Sequence, residues 1–389
     1  MTHDASGEAV FNGKVLNYAT KTIYDVSPDP AYPGVQPYTA WVGTWQLPNG
    51  TIQCDFIQGT GPKDNPVIAS PVLQSTDNGQ NWNRVAGDIP SGYSRGLAVL
   101  PDGTMVRPAE TFKFGPMPPN YSHVLQRINR FEGVERSTDG GKTWSPPINL
   151  VSPTAYQLAW PTVIKALRDG RLVAFAGLIP GGVPNDTAKI TKTMFVSSDK
   201  GLTWGLPITL MPAAQGACEE SDFVELPNGN LLWIHRAEHD GISDRQQSIV
   251  RKVGDSFVPD PPTPVAFPHS GFPCELMTRE GLVLDLCTTG SHWSADGGST
   301  WQDLMLGDQP FCTNYYPKAV QAADGTIVVV SHVGSDDEYG TVDQSITCQT
   351  FRLSPVPEPS AATLLGIGAG GLLTYGWRRT HGTAYHGEE

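Results

Sequence analysis

The chain has 389 residues, of which 39% are hydrophobic, with 42 Gly, 34 Pro and 10 Trp. That is enough apolar and aromatic mass for a real core, and the turn formers suit many short strands better than long helices. The formal charge of -13, with 26 Lys plus Arg against 39 Asp plus Glu and no basic run, argues against nucleic acid as a partner, because phosphate contacts need clustered cations.

In chain order, Met1 to Asn17 shows no basic stretch followed by an apolar one, so no signal peptide is legible there. Residues 1–37 read as an N-terminal segment able to add an outer strand. From residue 38 a unit of apolar run, Gly turn and second apolar run occurs six times. The copies are Trp41 to Phe56 around Asn49-Gly50, Leu97 to Val106 around Asp102-Gly103, and Val163 to Phe175 around Asp169-Gly170. They continue with Phe223 to Ile234 around Asn228-Gly229, Leu276 to Leu286 around Glu280-Gly281, and Ala319 to Val330 around Asp324-Gly325. Asn-Gly and Asp-Gly between β-rich runs are the strongest short-range hairpin signal. Successive turn glycines stand 53, 67, 59, 52 and 44 residues apart, slightly long for one four-stranded blade, which predicts extended loops.

Four of the hairpins are followed by Ser-x-Asp-x-Gly-x-x-Trp. The residues are Ser75, Asp77, Gly79 and Trp82; Ser137, Asp139, Gly141 and Trp144; Ser197, Asp199, Gly201 and Trp204; and Ser294, Asp296, Gly298 and Trp301. Ser and Asp side chains can bond nearby backbone N–H groups, Gly accepts positive φ, and Trp supplies a large apolar plug. Val253 to Phe257 reads as a worn fourth copy, and Ile346 to Leu353 as the last outer strand. Six hairpins, each followed by a second strand pair, predict an all-β, six-bladed propeller of four-stranded antiparallel blades over 38–354, since radial packing hides sheet faces and leaves short edges.

These turns resemble the Asp boxes of the BNR-repeat sialidase (neuraminidase) superfamily over roughly Tyr38 to Leu353. The resemblance implies six blades and an exo-acting glycoside hydrolase that releases terminal sialic or related acidic sugars from glycoconjugates, with no cofactor. Such enzymes use a tyrosine nucleophile, an exception to the two-carboxylate rule. A glutamate takes its proton, an aspartic acid is the general acid, and an arginine triad clamps the substrate carboxylate. Carried onto this chain, the base is Glu220, within Cys218-Glu219-Glu220-Ser221-Asp222-Phe223, with Glu219 as the alternate. Arg236 is a carboxylate ligand, and Tyr316 the nucleophile with Tyr315 as its alternate. Asp64 is the candidate acid. The chain departs from the pattern in Tyr32 to Pro37, which lacks an arginine, and in Thr289 to Trp293, where His292 stands in place of a permanent charge. Arg95 and Arg279 are substitutes, and His235 or His239 could add polar contacts. A hydrolase for a different terminal sugar, or a non-catalytic glycan-binding or surface-structural propeller, therefore stays open.

The cysteines Cys54, Cys218, Cys274, Cys287, Cys312 and Cys348 include no CxxC pair, and both disulfides and buried thiols remain open. No metal site is expected. Asp336-Asp337-Glu338 with Asp343 reads as a solvated loop rather than a calcium site. Residues 355–389 differ in character. Val356-Pro357-Glu358-Pro359-Ser360 precedes the uncharged stretch Ala361 to Trp377 and then Arg378-Arg379. That stretch is at the short end for a membrane span, with cations at one edge. The order resembles the bacterial PEP-CTERM sorting signal. It implies an exported, cell-surface or extracellular protein, transiently held in the membrane by its tail and processed by an exosortase.

Overall fold

In the computed structural model each of the six predicted turns closes a hairpin, and each does so in the same way. Gly50, Gly103, Gly170, Gly229, Gly281 and Gly325 all lie between φ 85° and 87°, a conformation open to Gly and strained for other residues. At five of the six, the preceding Asn or Asp side chain accepts the N–H of the residue after the glycine, as Asn49 does from Thr51 at 3.0 Å. The structure describes residues 11–26, 30–31, 38–61, 67–85, 96–111, 130–150, 158–179, 191–212, 220–239, 242–265, 267, 272–334 and 344–353.

The hairpins form the inner halves of six antiparallel sheets, and Val15–Arg352 make one compact unit. From the centre outwards, blade 1 is Tyr38–Gln46, Ile52–Thr60, Val72–Ser75 and Asn83–Arg84. Blade 2 is Ala98–Val99, Met105–Thr111 and Arg130–Ser137, with a single bridge from Val134 to Ile148 at its outer edge. Blade 3 is Leu158–Ala166, Leu172–Ile179, Thr191–Ser197 and Ile208–Met211. Blade 4 is Ser221–Glu225, Leu231–His239, Ile242–Val253 and Ser256–Pro259. Blade 5 is Glu275–Met277, Val283–Asp285, His292–Ser294 and Gln302–Asp303. Blade 6 is Tyr315–Gln321, Ile327–His332 and Ser345–Leu353, and its outermost strand is Val15–Asp25. The expectation for Ile346 to Leu353 is thus corrected: it is the third strand, and the N-terminal segment supplies the fourth. The worn fourth copy becomes a tight turn at Gly254-Asp255 between the third and fourth strands of blade 4.

Blades are held by apolar seams. In the second strand of blade 3, Leu172, Ala174, Ala176 and Leu178 pack toward blade 2, with Val106 and Val134, while Val173 and Phe175 pack toward blade 4, with Phe223 and Trp233. Alternation that buries both faces explains why this strand reads as an unbroken apolar run. Phe175 stacks on Phe223 with centroids 4.3 Å apart.

The four Asp boxes each lock their blade to the one before it. In every copy the Ser hydroxyl donates to the Asp carboxylate at 2.8 Å and accepts the Gly N–H at 2.8–2.9 Å. The Trp rings of the four copies then pack into the seam shared with the preceding blade. A Cβ on Gly79 would stand 2.9 Å from Val328 of blade 6, and one on Gly298 2.9 Å from Leu232 of blade 4. The motif therefore needs glycine for space as well as for φ. At the seam of blades 3 and 4, where the box is missing, Phe257 fills the equivalent place beneath Arg171.

Candidate active site

The chemistry gathers where the innermost strands begin, at the end of the blades opposite the Gly turns. Glu220 immediately precedes the innermost strand of blade 4 and is buried. The Tyr316 hydroxyl, from the innermost strand of blade 6, donates to Glu220 Oε1 at 2.9 Å. Arg236, from the second strand of blade 4, donates to Glu220 Oε2 at 2.9 Å. Its backbone N–H also donates to the Glu220 carbonyl at 3.0 Å. Both oxygens of one carboxylate are thus engaged, one by a phenol and one by a guanidinium, which fixes its orientation.

Backbone shape places the tyrosine. The register of blade 6 shifts between Tyr315 and Lys318, and Tyr316 has φ 49°. A bulge re-aims the side chain it carries, and a left-handed tyrosine persists only where its surroundings over-determine it. Here Phe272 lies 5.9 Å and His332 5.4 Å from the Tyr316 ring, whereas Tyr315 is 45% exposed. Burial pushes His332 down to about 3, so the tyrosine stacks on a neutral imidazole.

Asp222 is a buried charged residue beside Glu220 that sequence reasoning passed over. Its Oδ1 is 2.6 Å from Lys165 Nζ of blade 3, and its Oδ2 is 3.8 Å from Lys318 Nζ of blade 6. Oδ2 also accepts the Glu275 N–H of blade 5 at 3.0 Å. One buried carboxylate therefore ties four innermost strands together around the axis. The signal available in the sequence was charge inside otherwise apolar strands, at Asp222, Lys165 and Lys318.

Beside this lies a second buried network. Arg245, opposite Arg236 in the sheet of blade 4, bonds Asp285 Oδ1, and both side chains are fully buried. Burial alone would lower the Arg245 guanidinium, but Asp285, Cys287, Glu275 and Glu220 hold it above its usual value. Burial is the largest single influence on Asp285 and favours its neutral form, yet Arg245 together with His292 and Glu275 outweighs it and keeps that carboxyl low. Glu275, paired with Asp285 across the strands, is driven well above the carboxylate range by burial first and by the charge of Asp285 second. The result is a neutral acid beside an ionised one.

The remaining candidates fall elsewhere. Arg279 sits in the blade 5 hairpin turn and braces blade 6, donating to the Ala323 carbonyl at 2.8 Å; the structure does not bring it to Glu220. His292 is buried in blade 5, with its ring 4.2 Å from Phe267 and Nδ1 3.8 Å from Asp285. His235 is buried against Trp233, and burial with the Lys192 charge lowers it to about 3. Asp64, Arg95, Cys218, Glu219, Asp336, Asp337, Glu338, Asp343 and the tail 355–389 lie outside the described residues, as does the side chain of His239. The five described cysteines are unbridged. Among the described residues, Asp285, Cys287 and His292 converge as possible metal ligands, a set with no familiar spacing in sequence. No helix among the described residues is long and apolar enough to cross a membrane.

Fold and site together define a six-bladed Asp-box propeller with an enzyme-like polar centre. The chain belongs to the BNR repeat-like domain family, whose model matches residues 121–330. No curated protein matches the sequence. Among solved structures it is similar to a protein of unknown function from Dyadobacter fermentans, at 21% identity and TM-score 0.59, covering 86% of this chain and 99% of that one. It is similar to an α-L-arabinofuranosidase from Fusarium graminearum held with an iminosugar inhibitor, at 15% identity and TM-score 0.60, covering 87% and 99%. It is also similar to the intramolecular trans-sialidase from Ruminococcus gnavus, at 12% identity and TM-score 0.56, covering 87% and 100%. At these identities the likeness is one of fold.

Proposed function

We propose that the chain is an exo-acting glycoside hydrolase in which Tyr316 is the nucleophile and Glu220 its base. The observation that carries this is the 2.9 Å hydrogen bond from the Tyr316 hydroxyl to Glu220 Oε1. A phenol is a weak nucleophile until its proton is taken, and a carboxylate at hydrogen-bond distance can take it as the bond to the anomeric carbon forms. The leaving-group oxygen needs a proton from a general acid, the role proposed for Asp64. Water, giving a proton to the Asp64 carboxylate, then attacks the anomeric carbon as its bond to the tyrosine oxygen breaks, and Glu220 returns the proton to the phenol. Arg236, partly exposed beside Glu220, supports a terminal sialic or related acidic sugar as substrate, since a guanidinium recognises a carboxylate.

A second reading keeps the hydrolase and changes the sugar. Among the described residues near Glu220, Arg236 is paired with Glu220 and Arg245 with Asp285, and an uncharged terminal sugar, such as the arabinofuranoside unit implied by the Fusarium relative's name, would need no further cation. Release of a fluorescent aglycone from α-sialosides, α-L-arabinofuranosides and neutral hexosides separates the readings. Whichever substrate is turned over, Tyr316→Phe and Glu220→Gln should each lower kcat by about 10²–10⁴-fold. Equal turnover by the three proteins rejects the assignment, and glycan binding without turnover makes the propeller a binding module. We propose in addition that the propeller, Val15–Arg352, is the working domain and 355–389 a sorting tail processed by an exosortase. Fractionation of cells with and without residues 355–389 tests that, with loss of transient membrane association expected on deletion.

A further inference from the structure

We propose that Asp285, Cys287 and His292 form a binding site for a divalent transition-metal ion of zinc type, built from side chains other than the Tyr316–Glu220 pair. One donor atom from each residue lies within 4.8 Å of the other two, and all three residues are buried. Asp285 Oδ2 and His292 Nδ1 face each other at 3.8 Å, and neither has a partner in hydrogen-bonding geometry among the described residues, although the neutral Glu275 acts on the same carboxylate from the paired strand. That gap is too long for a hydrogen bond. It is close to the spacing of two ligands on one ion, because bonds of ~2.0–2.1 Å at a tetrahedral angle separate neighbouring ligand atoms by roughly 3.4 Å. Two facing, dehydrated and unsatisfied polar atoms are costly in a folded protein, and a cation between them satisfies both.

The surroundings are those of a prepared site. Asp285 is held through its other oxygen by Arg245. The His292 ring lies on Phe267, and its Nε2 is 3.4 Å from Asp303 Oδ1, the carboxylate-behind-imidazole arrangement that orients a ligating histidine. Cys287 belongs to a turn pinned by its own N–H to Ser291 Oγ at 3.1 Å and by the Leu304 N–H to the Ser291 carbonyl at 2.8 Å. The Cys287 Sγ lies 2.6 Å from the Gly290 carbonyl. Binding replaces the thiol proton by the ion, and the proton leaves to solvent. Thiolate, imidazole and carboxylate together select zinc-type ions over magnesium or calcium. Three protein ligands leave the fourth position to water, and Asp303 behind His292 has a side chain 65% exposed.

The untagged full chain, stripped with EDTA, should bind cobalt(II) at one equivalent, with a thiolate-to-cobalt charge-transfer band in the near ultraviolet and tetrahedral bands in the visible. Zinc(II) should abolish both. Cys287→Ser should lose the charge-transfer band, while Cys312→Ser, which removes the exposed thiol, should keep it. His292→Gln should weaken cobalt binding at least 10-fold, and Asp303→Asn by about 10–100-fold as a residue behind the ligand. Absence of the band in the parent chain overturns the proposal, as does a band retained by folded Cys287→Ser. Should Cys287→Ser not fold, unchanged cobalt affinity in His292→Gln overturns it equally.

Discussion

Acid should destabilise this propeller well before its exposed carboxylates titrate, through two histidines. His332 and His235 are both fully buried and both lowered to about 3, against an ordinary value of 6.5. The unfolded chain takes up protons at these two positions as the pH falls through 6.5, and the folded chain does not until about 3. Stability present above 6.5 is therefore lost progressively across that window. At pH 5 the difference is about 2 kcal/mol for each histidine, and about 4 kcal/mol for the pair. Glu275 works in the opposite sense, because its raised value favours the folded state at low pH and is a cost at high pH. The histidine share must therefore be read from variants. Urea midpoints at pH 8 and pH 5 for the parent, His332→Gln, His235→Gln and the double variant give it directly. Each single variant should lose about 2 kcal/mol less than the parent between the two pH values. Identical losses in all four proteins would refute the reasoning. The Asp-box carboxylates lie outside this window: Asp139, for instance, is held at about 2 by its Thr143 hydrogen bonds.

Other perturbations separate packing from conformation and burial from charge. Gly79→Ala should cost about 2–4 kcal/mol, because it adds overpacking against Val328 to the left-handed strain. Gly50→Ala, at φ 87° but with open space around it, should cost about 1–2 kcal/mol; equal denaturant midpoints would remove the inter-blade contact from the explanation. Arg245→Met leaves Asp285 buried without its cation and should cost about 3–5 kcal/mol. Arg352→Met, at the exposed pair with Asp324, should cost under about 1 kcal/mol in the same assay. Phe175→Ala, which opens the seam of blades 3 and 4, should cost about 3–5 kcal/mol by denaturant titration.

What the sequence made legible was what neighbours along the chain decide. A Gly at positive φ after Asn or Asp, and Ser reaching Asp and Gly within four residues, are local devices, so six hairpins and four Asp boxes could be placed without a structure. Residues 1–37 read as able to add an outer strand, but the pairing of Val15–Asp25 with Ser345–Leu353 that closes blade 6 spans the whole chain and leaves no local mark. The Tyr316–Glu220 contact joins residues 96 apart and was approached through family resemblance rather than spacing. Asp222, Arg245, Glu275 and Asp285 went unassigned because a buried charge in one strand is explained only by partners in other blades.

The outer strand Val15–Asp25 leaves the ribosome early, yet its partner strand, Ser345–Leu353, is synthesised some 320 residues later. Blades 1 to 5 can each complete themselves from nearby sequence as they emerge. Blade 6 cannot. Until the last strand arrives, the ring has an open edge and an unpaired early strand, the kind of exposed partner-seeking surface that exchanges between molecules. Slow growth of the chain thus lengthens the period in which two copies could trade their first strands, and that exchange would join them without altering a single contact within blade 6.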